Sequence, residues 1–189
     1  MTGKRAFVVL LCMGALLALS QPVSGQKSGK KAKKEVKKMV LTSPAFKEGE
    51  MIPREYTCEG KDISPALQWK GVPEKTRSFA LICDDPDAPM GTWVHWVIWN
   101  IPATASGLPE GIEAEKELKD GTRQGKNDFR RIGYGGPCPP PGPAHRYFFK
   151  LYALDNKLEL RPGATKSELL KAMEGHILAE AHLMGKFKR

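Results

Sequence analysis

Several familiar features are scarce or missing in this sequence. No apolar run reaches the roughly 20 residues that a helix needs to cross a bilayer. The longest, Ala6 to Leu19, stops at about 14. Only 4 cysteines occur in 189 residues, and no two lie close in sequence. That disfavours a structural zinc site, which usually takes closely spaced thiolates. There is no Gly-x-Ser-x-Gly elbow, no His-Glu-x-x-His pair and no phosphate loop. The motif-borne routes to a serine hydrolase, a zinc peptidase or a nucleotidase are therefore missing. No internal repeat occurs, and nothing in the sequence implies a cofactor or a metal.

Net charge is +9, but it is unevenly spread. Lys4 and Arg5 precede the apolar run, and Val23-Ser24-Gly25 follows it. This is the anatomy of a secretory signal, so residues 1–25 are expected to be cleaved and the protein to be periplasmic or secreted. Residues 26–38 hold seven lysines (27, 30, 31, 33, 34, 37 and 38) against Glu35. Such a tail is too polar to fold and is expected to stay disordered. It serves as a solubilising linker, or as a loose contact to anionic membrane or cell-wall polymer that salt would screen. From Met39 on, 21 basic residues face 20 acidic ones. The body is almost neutral, which argues against a nucleic-acid partner. Residues 39–189 suffice for one domain with a sizeable core.

In an oxidising compartment one cysteine pair is expected. Cys83 ends the apolar run Phe79-Ala80-Leu81-Ile82-Cys83 and reads as buried. Cys58 and Cys138 lie in polar, turn-rich stretches and form the expected pair. That bridge would close a loop of about 80 residues, with an entropic ceiling of about 4–5 kcal/mol.

The chain reads as β-rich. Strands are expected at Met39 to Ser43, Leu67 to Trp69, Ser78 to Cys83, Trp93 to Ile101 and Tyr147 to Leu154. The fourth is dense in aromatic and β-branched residues. Strict alternation there would put Trp93, His95 and Val97 on one face and Val94, Trp96 and Ile98 on the other. Gly107 to Asp128 reads as loop. Gly133 to Pro143, with four glycines and five prolines, cannot be a regular element. Thr165-Lys166-Ser167-Glu168 matches a capping box. Leu169, Leu170, Met173, Ile177, Leu178 and Ala181 then recur at helical spacing, predicting one amphipathic helix from Thr165 to about Met184. His176 and His182 fall on it and read as surface or structural residues.

Three segments collect polar groups at strand ends. Asp84-Asp85-Pro86-Asp87-Ala88-Pro89 crowds three carboxylates, which an ordinary acidic turn would also do. His95 sits among indoles, as a structural histidine would. The Gly/Pro loop leads into His145-Arg146-Tyr147, either as a stiff connection or as a nest of backbone N–H groups for an anion.

Together these segments resemble the phosphatidylethanolamine-binding protein family, in its bacterial Raf-kinase-inhibitor-like branch. The matching stretches are Asp85-Pro86-Asp87-Ala88-Pro89, Gly91-Thr92-Trp93-Val94-His95-Trp96, Gly133-Tyr134-Gly135-Gly136-Pro137 and His145-Arg146-Tyr147, with Ser64-Pro65 and Trp69. The likeness runs from about Met39 to Lys186. It implies a mainly β fold of two antiparallel sheets, few helices and a small pocket for phosphate-type head groups. Carried over, Asp85, His95 and His145 form the polar centre. Pro89, Trp93 and Tyr147 are walls, and Gly135, Gly136 and Pro137 edge the mouth.

A carboxylate beside an imidazole favours the protonated ring. One acid, two imidazoles and glycine N–H donors would suit a zwitterion or a phosphomonoester. The expected function is therefore binding of a small anionic or phosphorylated ligand without catalysis, with regulation of a protein partner through the same mouth. Acid–base or metal-dependent hydrolysis by the Asp/His/His cluster, a Cys138 nucleophile and protease inhibition are the competing readings. A homodimer is left open.

Overall fold

The computed structural model describes residues 38–189. The expected signal and all but the last residue of the lysine tail lie outside the described residues. No described helix is long and apolar enough to cross a membrane.

Two antiparallel sheets make the body. The smaller is ordered β1-β2-β5, from Val40–Thr42, Leu67–Lys70 and Gly107–Leu108. The larger is ordered β6-β4-β3-β7-β8. Its strands are Arg123–Gln124, Trp93–Pro102, Ser78–Asp85, His145–Leu154 and Ile177–Phe187. The short β5 and β6 lie in the stretch read as loop.

One core fills the space between the sheets. Leu41, Leu67 and Trp69 from the small sheet meet Phe79, Leu81, Trp96, Ile98 and Phe149 from the large one. The Trp69 and Phe79 rings, with centroids 5.1 Å apart, join the layers. A second core covers the far face, where Ala80, Ile82, Val97 and Trp99 pack under Leu169 and Met173 of helix α1, Lys166–Met173. β3 is therefore buried on both faces throughout. This explains why Phe79 to Cys83 is continuously apolar rather than alternating.

Two sequence expectations need correction. The capping box is formed, with Thr165 accepting from the Glu168 N–H and Glu168 accepting from the Thr165 N–H. The helix nevertheless stops at Met173, and residues 177–187 form β8 instead. Gly175, at φ 79°, supplies the left-handed turn that breaks the helix. Ile177, Leu178 and Ala181 continue the helical spacing, but Ala181, Leu183 and Phe187 are buried at strand spacing. Pairing with β7 from Leu154↔Ile177 to His145↔Phe187 decides between the two periods.

The strict alternation along β4 also fails. Cys83 pairs with Trp96 and Asp84 with Val94, so His95 is an extra residue, a β-bulge. Beyond it the faces switch: Val97 packs in the far core with Val94, while Trp96 and Ile98 enter the core between the sheets.

Candidate functional site

β3, β4 and β7 are neighbours in the large sheet, and their ends at Asp85, Trp93 and His145 converge. Asp85, Pro89, Trp93, His95 and His145 line one small cavity of about 180 Å³, together with Ala88, Phe129, Cys138, Pro139 and Pro140. Asp85, His95 and His145 are all buried.

The polar contacts are specific. His145 Nδ1 lies 2.8 Å from Asp85 Oδ2. Asp85 Oδ1 accepts the Asp87 N–H at 2.8 Å, which folds the loop back on itself. His95 Nδ1 donates to the Gly135 carbonyl at 2.6 Å, and the Gly135 N–H donates to the His95 carbonyl at 2.9 Å. The bulge lets His95 bond the proline-rich loop in this way. Both rings thus spend Nδ1 on the protein, and neither Nε2 has a hydrogen-bond partner among the described residues. Each Nε2 accepts when the ring is neutral and donates when it is protonated. Burial pushes the His95 imidazole below its ordinary value, against the smaller raising effects of the Gly135 carbonyl and the Asp85 charge. Burial thus disfavours the imidazolium form of His95.

Aromatic rings hold the histidine. His95 meets Phe129 and Tyr147 edge-on, with centroids 5.3 Å and 5.1 Å apart, and Phe129 also meets Trp93 edge-on at 5.4 Å. Tyr147 is fully buried behind His95 rather than on the cavity wall. Its burial, reinforced by the Asp85 charge, raises its hydroxyl pKa and keeps it protonated. The Trp93 Nε1–H is buried without a hydrogen-bond partner among the described residues.

Of this loop, Cys138, Pro139 and Pro140 line the cavity rather than Gly135, Gly136 and Pro137. The glycine N–H groups are also unavailable as an anion nest. Gly135 donates to His95, and Gly136 donates to Asp62 Oδ1 at 2.6 Å. A Cβ on Gly136 would sit 2.4 Å from the Tyr56 carbonyl, so the glycine there permits close packing, not ligand contact. The same segment receives three other fastenings. Tyr134 Oη donates to the Tyr56 carbonyl, the Cys58 N–H donates to the Pro137 carbonyl, and Cys58 and Cys138 form a disulfide. The bridge removes the free thiol that the nucleophile reading required. Cys83 is free and buried.

Sequence reasoning missed Phe129, although a lone aromatic inside the charged stretch Lys126 to Arg131 was a usable signal. It also missed the clamp outside the cavity. Arg146 grips Asp87 through Nε and Nη2 at 2.9 and 2.7 Å, and its N–H adds a bond of 2.9 Å. The guanidinium holds the Asp87 carboxyl down to a pKa of about 2. His176 bonds Asp155 at the surface, and His182 lies exposed on β8. Neither lines the cavity.

A family model described as phosphatidylethanolamine-binding protein matches residues 42–188. The chain belongs to the phosphatidylethanolamine-binding protein family. A UPF0098 protein of Methanothermobacter thermautotrophicus is 55% identical over 151 residues, covering 80% of this chain and 99% of its own. One of Aquifex aeolicus is 53% identical, covering 80% and 89%. Among solved structures, E. coli YbcL, described as a new member of the mammalian family, superposes with a TM-score of 0.75 at 36% identity. The match covers 80% of this chain and 99% of YbcL. The homolog CT736 from Chlamydia trachomatis gives 0.74 at 43% identity, covering 81% and 99%. Relatives include archaeal proteins, so this kind of chain is not confined to bacteria. The family supports small-ligand binding as the general activity.

Proposed function

We propose that the chain is an exported binding protein whose cavity takes a small phosphate-type or zwitterionic head group. One observation carries the reading: a buried carboxylate–imidazole pair and a second imidazole meet at one cavity, each ring with an Nε2 that has no hydrogen-bond partner among the described residues. At about 180 Å³ the cavity is smaller than the roughly 300–1,000 Å³ of pockets for drug-sized ligands. It suits a head group. Asp85 attracts an ammonium, while the Nε2 atoms accept from a P–OH group when neutral and donate to phosphate oxygens when protonated.

Calorimetry of phosphoethanolamine binding from pH 5 to 8 tests this. Affinity should fall as pH rises and His95 loses its proton. For His95 the change should lie below its ordinary 6.5, because burial lowers its pKa. Binding with no dependence on pH would overturn the imidazolium mechanism, and no binding at any pH would overturn the head-group reading. The signal-like residues 1–25 support export, and the Cys58–Cys138 bridge suits an oxidising compartment. Mature protein beginning near residue 26 is the expected mass-spectrometric result; an intact N-terminus in native protein would overturn export.

A further inference from the structure

The disulfide connects the outer surface to the cavity. Cys58 is exposed, on the turn after the short 3-10 helix Arg54–Tyr56. Cys138 is half-buried and forms part of the cavity wall that also includes His95 and His145. A bridge with an exposed sulfur-bearing residue is open to thiol exchange, unlike one sealed in a core. The wall also has fastenings that do not depend on the bridge. The Cys58 N–H holds the Pro137 carbonyl, Tyr134 holds the Tyr56 carbonyl, and Gly136 holds Asp62. Pro137, Pro139, Pro140 and Pro141 restrict the backbone on either side of Cys138. Opening the bridge therefore leaves Cys138 near its place.

We propose that Cys138 is a redox-unmasked thiol site of this cavity, open to small soft electrophiles once the bridge is reduced. A dithiol reductant supplies the electrons. Its thiolate attacks Cys58 Sγ, the S–S bond breaks, and the bonding pair leaves on Cys138 Sγ. The second thiol of the reductant closes its own disulfide and releases Cys58. The reductant is oxidised by two electrons, and its two protons end on the two cysteines. The freed Cys138 then shares a cavity with His145, whose Nδ1 is held by Asp85 and whose Nε2 has no partner among the described residues. That ring takes the thiol proton, and the thiolate attacks an electrophilic carbon, expelling its leaving group. Cys83 is an internal control, since complete burial pushes its thiol pKa up and shields it.

The test labels full-length protein with iodoacetamide, before and after treatment with dithiothreitol, and locates the label by peptide mapping. Reduced protein should carry label on Cys138 and Cys58 and none on Cys83; oxidised protein should carry none on any of the three. Because reduction could loosen the fold, Cys58→Ser is labelled in parallel, its folding checked by circular dichroism. In this variant, adding His145→Gln should slow Cys138 labelling at pH 7 on the order of tenfold and leave the rate at pH 10 unchanged. An unlabelled Cys138 in folded Cys58→Ser, or a rate indifferent to His145, would overturn the proposal. A last arm rests on the head-group reading: carboxamidomethylated Cys138 should weaken phosphoethanolamine binding at least about tenfold, roughly 1.4 kcal/mol. If unlabelled oxidised protein gives no binding heat either, the head-group reading fails and the thiol assignment stands on the labelling rates.

Discussion

Asp84 and Asp85 are adjacent, both buried, and both sit at the end of β3. They face opposite sides of the sheet and have opposite kinds of partner. Asp84 is held by Lys150 from β7, at 2.8 Å, and by Lys166 from α1. Asp85 is held by one imidazole and one backbone N–H. Two lysines from two elements meet the Asp84 carboxylate and dock a helix onto the sheet. The Asp85–His145 pair lies instead at the cavity. The same residue type ties a helix to the sheet on one face and lines a cavity on the other.

The largest effect should come from the structural side. Lys150→Met with Lys166→Met would leave Asp84 buried and uncompensated, at a cost of about 3–5 kcal/mol. Urea unfolding should show that loss, while the surviving folded protein keeps its affinity for phosphoethanolamine. Lost affinity in the folded double variant would mean that the two carboxylates are not separable. Asp85→Asn should do the reverse. It loses about 1–2 kcal/mol of stability, because one of its two hydrogen bonds meets a donor instead of an acceptor. Calorimetry should show phosphoethanolamine binding weakened by about tenfold or more, the 1.4 kcal/mol of one charge-assisted contact. Inorganic phosphate, which has no ammonium to lose a partner, should bind at least as well as before. Equal losses for both ligands would assign Asp85 a positioning role alone.

Much of this contrast was legible in the sequence, for particular reasons. Strand β3 announced itself because double burial demands a continuous apolar run. Asp85, His95 and His145 came forward as a set, since the three segments carrying them are specific together although weak singly. Cys58 and Cys138 stood out because Cys83 had an obvious place in a strand. The rest was hidden by tertiary structure. The His95 bulge leaves no local mark, yet the residue that reaches Gly135 is the bulged one. β8 carries an apolar spacing that serves a helix as well as a strand up to Ala181, and pairing with β7 settles it. Gly135 and Gly136 looked like a nest because glycine exposes its backbone. Only the fold shows that both N–H groups were already taken.

His95 and His145 sharpen the comparison within the cavity itself. His95 has a carbonyl for a partner and no carboxylate, and burial lowers its pKa. A histidine that resists protonation when folded stabilises the protein above the unfolded value of about 6.5. That stability is lost as pH falls from 6.5 toward the lowered folded value. Unfolding curves at pH 7.5, 6.5 and 5.5 should show the loss, and His95→Gln, which can still donate to Gly135, should reduce it. An unchanged pH slope in that variant would place the titrating group elsewhere.

The smallest effect belongs to the clamp outside the cavity. Asp87 and Arg146 follow Asp85 and His145 closely in sequence and repeat the acid–base pairing of the two segments, this time half in solvent. Their ion pair is screened, so Arg146→Ala should cost less stability than any change above. Its sign with pH is fixed: with Asp87 held down to a pKa of about 2, the contribution is complete above about 4 and fades as pH falls toward 2. Unfolding at pH 7 and pH 2.5 should therefore separate Arg146→Ala from the parent at the first pH, with the gap narrowing at the second. The clamp also carries the Asp85–Pro89 turn, so phosphoethanolamine affinity is the sharper reading. If losing Arg146 lowers affinity more than it lowers stability, the exposed pair holds the buried one in place. If the two fall together, the clamp contributes to the fold alone.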